Sequence, residues 1–265
     1  MLSISHLYIY PIKSLAGFSV QQSMVERRGL QYDRRWMIVD ENGRFLTQRE
    51  FPAMALLKTG IENEKLTVIA GTDQLQMPLT LLEGKSVEVE VWGSRCSAFE
   101  AAETINNWFS RQLGVTCRAV YMPNSVERKL DPAYALSDDN ISSFADAYPI
   151  LLIGQASLDD LNGRLTERIP MDRFRPNIVF SGAKAFAEDE MKHFTINKMD
   201  FYGVKLCSRC IITCTSQQTA EVGKEPLKTL ATYRNFNNKI MFGQNIIPAS
   251  TGVISVGDEI LIACK

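Results

Sequence analysis

The chain has 265 residues, 45% of them hydrophobic and 22% charged, with 29 basic against 30 acidic side chains and a net charge of −1. That length holds one large or two modest domains of ordinary globular composition. The balanced charge offers no global field to a nucleic acid, no run of about 18 apolar residues offers a membrane span, and six cysteines without a secretory leader point to reduced thiols in a cytoplasm.

Residues 1 to about 95 read as mostly β. Short apolar runs recur at Leu7–Tyr10, Trp36–Val39, Leu66–Ile69 and Val87–Val91, punctuated by Gly, Asn and Asp. Glu41-Asn42-Gly43 is a hairpin signal, and Gly71 to Asp73 is a second turn. Ala101, Ile105, Trp108, Phe109 and Leu113 then repeat at helical spacing, with Gly114 placed to end the helix. A second helix is predicted from Ser157 as N-cap, with Asp159 and Asp160 in its first turn and Leu158, Leu161 and Leu165 on one face. Glu225-Pro226-Leu227 opens a short third helix. The tail from Gly252 reads as two strands around a Gly257-Asp258 turn, and the stretches near 120–145 and 181–195 read as loops. The expected class is therefore mainly β with a few helices, an α+β chain built of a barrel or sandwich.

Chemistry concentrates in Lys205-Leu-Cys-Ser-Arg-Cys-Ile-Ile-Thr-Cys214. The β-branched residues after Cys210 favour a strand, in which Cys210, Ile212 and Cys214 share one face and Cys207 takes the other. A Cys-x-x-Cys of this kind is a redox dithiol, half a zinc site, a source of one thiolate for a softer metal, or a pair of buried core thiols. Zinc lacks its second ligand pair, because Cys96, Cys117, Cys214 and Cys264 stand singly and the histidines are only His6 and His193. An iron–sulfur cluster lacks its fourth thiolate. Basic residues cluster beside strand ends and prolines: Lys13, Arg34, Arg35, Arg49, Arg173 and Arg175. Each alone is an ordinary surface charge, but together they form a candidate anion-binding cleft.

The stretches Tyr10-Pro-Ile-Lys-Ser14, Asp33-Arg-Arg-Trp36, Phe45-Leu-Thr-Gln-Arg49, Phe144-Ala-Asp-Ala-Tyr-Pro149, Phe174-Arg-Pro-Asn-Ile-Val179, Cys207-Ser-Arg-Cys210, Lys224-Glu-Pro-Leu227 and Phe242-Gly-Gln-Asn245 run nearly end to end. In that order they resemble the MOSC superfamily, in particular bacterial YcbX-like proteins and the mitochondrial amidoxime-reducing components. The resemblance implies an N-terminal MOSC β-barrel domain over residues 1–95, with a helical connector to about 115, packed on a MOSC β-barrel domain over 116–265. It implies a molybdenum–pterin cofactor (Mo-molybdopterin) with Cys210, the second cysteine of the motif, as metal ligand and catalytic residue. Lys13, Ser14, Arg34, Arg49, Asp146, Arg175 and Asn177 are then implied as cofactor contacts. Ala147 and Tyr148 stand where the mitochondrial pattern has a polar pair, so only their backbone contacts carry over.

The activity so implied is reduction of N-hydroxylated compounds at the N–O bond. Electrons are expected from a separate ferredoxin- or reductase-like protein, because the chain has no Cys-x4-Cys-x2-Cys run and no Gly-x-Gly-x-x-Gly after a strand. The mitochondrial relatives' membrane anchor is also absent, which fits a cytoplasmic protein with no membrane or polymeric nucleic-acid partner. The alternatives are a sulfur carrier and a cofactor-binding or delivery module, both using Cys210.

Overall fold

The computed structural model describes residues 1–263, so Cys264 lies outside the described residues. Strands account for 41% of the chain and helices for 15%, in agreement with the mainly β expectation. No helix among the described residues is long and apolar enough to cross a membrane.

The largest sheet is assembled from distant parts of the sequence. Strand Ser3–Ile9 lies between Phe18–Val20 and Ile178–Ser181 and pairs antiparallel with both. A bulge between Ile4 and His6 shifts its alternation, so that Ile4, Leu7 and Ile9 are all buried. Ile178–Ser181 runs parallel to Ile150–Gly154, which pairs with Lys239–Pro248, and the sheet continues through Met199–Ser208 and His193–Ile196 to Ile260–Ile262. The hydrogen-bonded order among the described residues is an open path. Its inner face carries Leu7, Ile150, Ile178, Phe194, Phe201 and Ile246, all essentially free of solvent contact.

A second core lies around the four-stranded sheet Trp36–Val39, Arg118–Tyr121, Ser94–Glu100 and Lys85–Val91. The helix Glu103–Leu113 packs on this side through Ile105, Trp108 and Phe109, and Gly114 ends it in the left-handed conformation at φ 67°. Lys58–Glu62, Lys65–Ala70 and Asp73–Pro78 form a meander whose Gly71 turn is the one expected. At Glu41-Asn42-Gly43 the chain also reverses. The Asp40 carboxylate accepts from the Asn42 and Arg44 amides, each at 2.9 Å, and the returning arm makes isolated bridges, from Phe45 to Val39 and from Arg44 to Glu90, not a paired strand.

Three local expectations are corrected. The residues after Cys210 form a 3-10 turn, Ile211–Cys214, not a strand. The Thr213 amide and hydroxyl both donate to the Cys210 carbonyl, at 3.1 and 3.0 Å, and this local pairing overrides β propensity. The second helix spans Gln155–Asn162, so Ser157 lies inside it and Asp159 and Asp160 fall beyond the first turn. The Ser157 hydroxyl donates to Glu188 Oε2 at 2.8 Å and accepts from the Phe186 amide at 2.7 Å, which removes it from any capping role. The third helix is one turn, Leu227–Leu230, with Pro226 at its cap position.

Candidate functional site

Three backbone segments meet in left-handed conformations at one place. Ser14 has φ 69°, Arg34 φ 48° and Arg175 φ 55°. Non-glycine residues pay for this geometry, and such residues cluster where side chains must be aimed against local preference. Tertiary hydrogen bonds hold them there. The Lys13 amide donates to the Trp36 carbonyl at 2.8 Å, the Arg34 amide to Tyr10 at 2.8 Å, and the Arg34 carbonyl accepts from Phe144 at 2.9 Å. Asp33, fully buried, accepts from the Tyr10 amide at 2.9 Å and from Arg34 Nη1 at 2.6 Å.

The result is an open cleft with a cavity volume of about 150 Å³. Lys13, Ser14, Arg34, Asp146, Ala147, Tyr148, Arg175, Asn177 and Cys210 all line it. Arg49 stands at its edge and donates through Nη2 to Cys210 Sγ at 3.3 Å. The ten residues singled out in the sequence are thereby brought together, although Lys13 and Cys210 are almost 200 positions apart in the chain.

The electrostatics of the cleft are unbalanced. Lys13 is buried and donates to the Phe144 carbonyl at 2.8 Å and to the Asp146 carboxylate. Burial pulls the Lys13 ammonium below its ordinary range, partly offset by Asp146. Burial works against the Asp146 charge as well, but Lys13 and the Trp92 N–H hold that carboxyl well below the usual carboxylate range. Arg34 is paired with Asp33 and also donates to Asn177 Oδ1 at 3.1 Å and to the Arg175 carbonyl at 3.3 Å. Arg175 has no such partner: Nη1 and Nη2 are both buried and neither meets an acceptor. Burial and the nearby Arg34 charge push the Arg175 guanidinium down to about 10. Both guanidiniums lie on the Tyr10 ring, at 4.4 and 4.3 Å from its centroid. A buried forked cation without an acceptor is costly by itself and is matched by a planar or tetrahedral oxyanion.

The thiols are sorted by their arginines. Met199–Ser208 carries Cys207 to the cleft, and two register shifts near its end, after Gly203 and after Leu206, redirect the chain. Gly203 is needed there, because a Cβ would sit 2.0 Å from the Met191 carbonyl. Arg209, although next to Cys210 in the sequence, donates to Cys207 Sγ at 2.9 Å and to the Phe174 carbonyl at 2.7 Å. Arg49 serves Cys210. Cys214 is buried away from the cleft, so the shared face predicted for Cys210, Ile212 and Cys214 does not form. No group of three or more His, Cys, Asp or Glu side chains converges as a metal site among the described residues.

Two arginines of the sequence cluster serve structure. Arg35 turns to the Met122 carbonyl and Asn124, and Arg173 donates to the Thr213 and Glu225 carbonyls at 2.8 and 3.0 Å, tying down the turn after Cys210. Asn177 is spent on the scaffold. Its oxygen accepts from Arg34 and the Leu151 amide while its Nδ2 donates to the Tyr8 carbonyl. It therefore orients Arg34 and offers the cleft little hydrogen-bonding capacity of its own.

Sequence reasoning missed several contributors. Arg128 Nη1 donates to Ser142 Oγ and the Ser143 and Ala145 carbonyls, each at 2.7 Å, and its Nη2 to the Asp146 carbonyl at 2.8 Å, which shapes the loop holding Asp146 and Ala147. Gln48 and Gln217 exchange amide hydrogen bonds at 3.2 and 3.1 Å, and Gln48 donates to the Ser14 carbonyl at 2.7 Å. This buried pair joins the segment bearing Arg49 to the one following Cys210. Only the position of Gln48 beside Arg49 in Leu46-Thr-Gln-Arg49 marked any of them in the sequence.

A cleft lined by a half-buried thiol and by an unpartnered arginine fork has the donors for a group bearing a soft metal and an oxyanion. Comparison with known proteins bears on which. Residues 1–116 match the MOSC N-terminal beta barrel domain and residues 139–261 the MOSC domain. The mitochondrial amidoxime-reducing component 1 of Mus musculus is 32% identical over 98% of this chain and 82% of its own length. Its counterpart from Homo sapiens is 30% identical over the same shares. The molybdenum cofactor sulfurase of Oryza sativa subsp. japonica is 34% identical over 91% of this chain but only 32% of its own length.

Proposed function

The chain belongs to the MOSC family, and from that premise we propose that it is a molybdenum-cofactor-dependent oxidoreductase acting on N-hydroxylated compounds. Its electrons come from a separate donor protein, in keeping with relatives that are named as components. The reading rests above all on Arg175, whose two buried, unpartnered nitrogens share a cleft with the Cys210 thiol. Arg175 and Lys13 would hold the phosphate of a molybdenum–pterin group, Arg34 would line its heterocycle, and Cys210 would ligate the metal. When bound, that group supplies two-electron chemistry, by which an N-hydroxyl group with two protons becomes an N–H and water.

The protein's own contribution is placement. Asp33 and Asn177 fix Arg34, Arg128 fixes the loop carrying Asp146, and Arg49 keeps a guanidinium on the Cys210 sulfur. Charged donors fixed before binding lose little freedom on binding, so their attraction to an oxyanion is retained. A division into two parts near residue 115 goes with this reading. The test is elemental analysis and turnover. Protein from a host competent in the cofactor should hold close to one molybdenum per chain and reduce an aryl amidoxime with a low-potential dye, but not with NADH alone. Metal-free protein from such a host, or metal-loaded protein inert toward N-hydroxylated compounds, defeats the proposal.

The 34% identity to a sulfurase and the half-buried Cys210 favour one second reading, a sulfur carrier that holds a persulfide on Cys210. Cyanide-releasable sulfur in place of molybdenum on the purified chain would select it.

A further inference from the structure

The hairpin of Lys85–Val91 and Ser94–Glu100 closes through two residues, since Val91 pairs directly with Ser94. Those residues are Trp92 at φ 51° and Gly93 at φ 81°. Two successive positive φ values define the primed turn of a tight hairpin, whose first position Asn or Asp occupies at little cost. A bulky side chain there is strained. Hydrophobic burial does not account for the choice, because Trp92 is 51% exposed.

The indole nevertheless makes three directed contacts with residues of the cleft. Its ring meets Phe45 edge-on at 5.1 Å. Its Nε1 donates to Asp146 Oδ1 at 3.0 Å, on the carboxylate that pairs with Lys13. The Arg49 guanidinium lies over its face at 4.4 Å from the centroid, and the same guanidinium donates to Cys210 Sγ. One side chain at a turn tip thus touches the partner of the anion-binding lysine and the partner of the thiol.

We propose that Trp92 is a positioning residue that holds Arg49 on the Cys210 sulfur and Asp146 on Lys13, at the expense of strain in its own turn. The functional consequence rests on the molybdenum reading above, whereas the contact itself is testable without cofactor. The other tryptophans, Trp36 and Trp108, are 1% and 4% exposed, so fluorescence open to acrylamide belongs to Trp92. In cofactor-free protein, Arg49→Ala should uncover the indole face and increase acrylamide quenching. Trp92→Asn, which suits the turn, should melt at the parental temperature or above. In loaded protein, Trp92→Asn should lower turnover per bound molybdenum by about three- to tenfold, as loss of a cation–π contact and a hydrogen bond implies. Trp92→Phe keeps the plate for Arg49 and should restore at least half of that loss.

Unchanged quenching in Arg49→Ala overturns the proposal, as does a Trp92→Asn protein that melts well below the parent. So does parental turnover per molybdenum in Trp92→Asn, or a Trp92→Phe protein no better than Trp92→Asn. If the parent itself binds no molybdenum, the functional reading fails separately, and quenching and melting alone decide the role of Trp92.

Discussion

Replacing Arg175 by methionine should stabilise the cofactor-free protein while destroying its capacity to keep an oxyanion. The guanidinium is pushed well below its ordinary value, down to about 10, by burial and by Arg34. At 1.36 kcal/mol per unit that is a cost of about 3 kcal/mol for holding the charge. A guanidinium does not shed its proton in a protein, so the cost stays in the folded state at any working pH. Methionine fills similar space without charge, and what it forfeits is the Tyr10 contact, about 0.5–2 kcal/mol. The net gain is about 1–2 kcal/mol, or roughly 2–6 °C in Tm for a chain of this size. Melting of protein shown to be free of molybdenum and phosphate reads the first effect. Molybdenum per chain after expression in a cofactor-competent host reads the second, which should fall by tenfold or more, on the order of one lost charged hydrogen bond. An Arg175→Met protein that melts below the parent, or that keeps its metal, would refute the reasoning.

Cys210→Ala should lose molybdenum and Cys207→Ala should keep most of it, because Arg209 leaves Cys207 tied to the Phe174 carbonyl at the cleft wall; the reverse result in elemental analysis assigns the wrong thiol. Lys13→Ala should lower cofactor retention by about ten- to hundredfold, from loss of a charged donor of about 1.5–3 kcal/mol; unchanged retention after gel filtration would return Lys13 to a structural role. Glu188 is buried with the Ser157 hydroxyl as its side-chain partner, and burial raises its pKa above 4.5. Between the unfolded and folded values the native state holds the proton and the unfolded state does not, so its contribution is fully present below about 4.5 and is lost as pH rises through the folded value. Urea midpoints of Glu188→Gln should therefore gain on those of the parent as pH is raised from about 4 to 7, and a pH-independent difference contradicts the burial argument.

The readable parts of the chain were those governed by near neighbours. Strand Trp36–Val39, strand Lys65–Ala70 with the Gly71 turn after it, and the helix Glu103–Leu113 follow from short apolar runs, helical spacing and glycines suited to positive φ, which depend on a few adjacent residues. The ingredients of the cleft were readable for a similar reason. A thiol, an ammonium and several guanidiniums keep their chemistry wherever the chain puts them, and their ordered motifs pointed to one family.

Misreadings arose where a distant group captured a local one. Ser157 has the chemistry of an N-cap, but Glu188, 31 positions on, takes its hydroxyl. The residues after Cys210 favour a strand, but Thr213 bonds back to Cys210 and Arg173, 40 positions away, holds the turn. Pairing was the feature least visible in the sequence. Arg209 sits one residue from Cys210 yet serves Cys207, whereas Arg49 reaches Cys210 across 161 positions. Side-chain chemistry is carried by each residue separately, so it survives in a linear text. Which donor meets which acceptor depends on distances set by strand pairing between residues far apart, as where Ser3–Ile9 lies against Ile178–Ser181, and those distances exist only once the chain has folded.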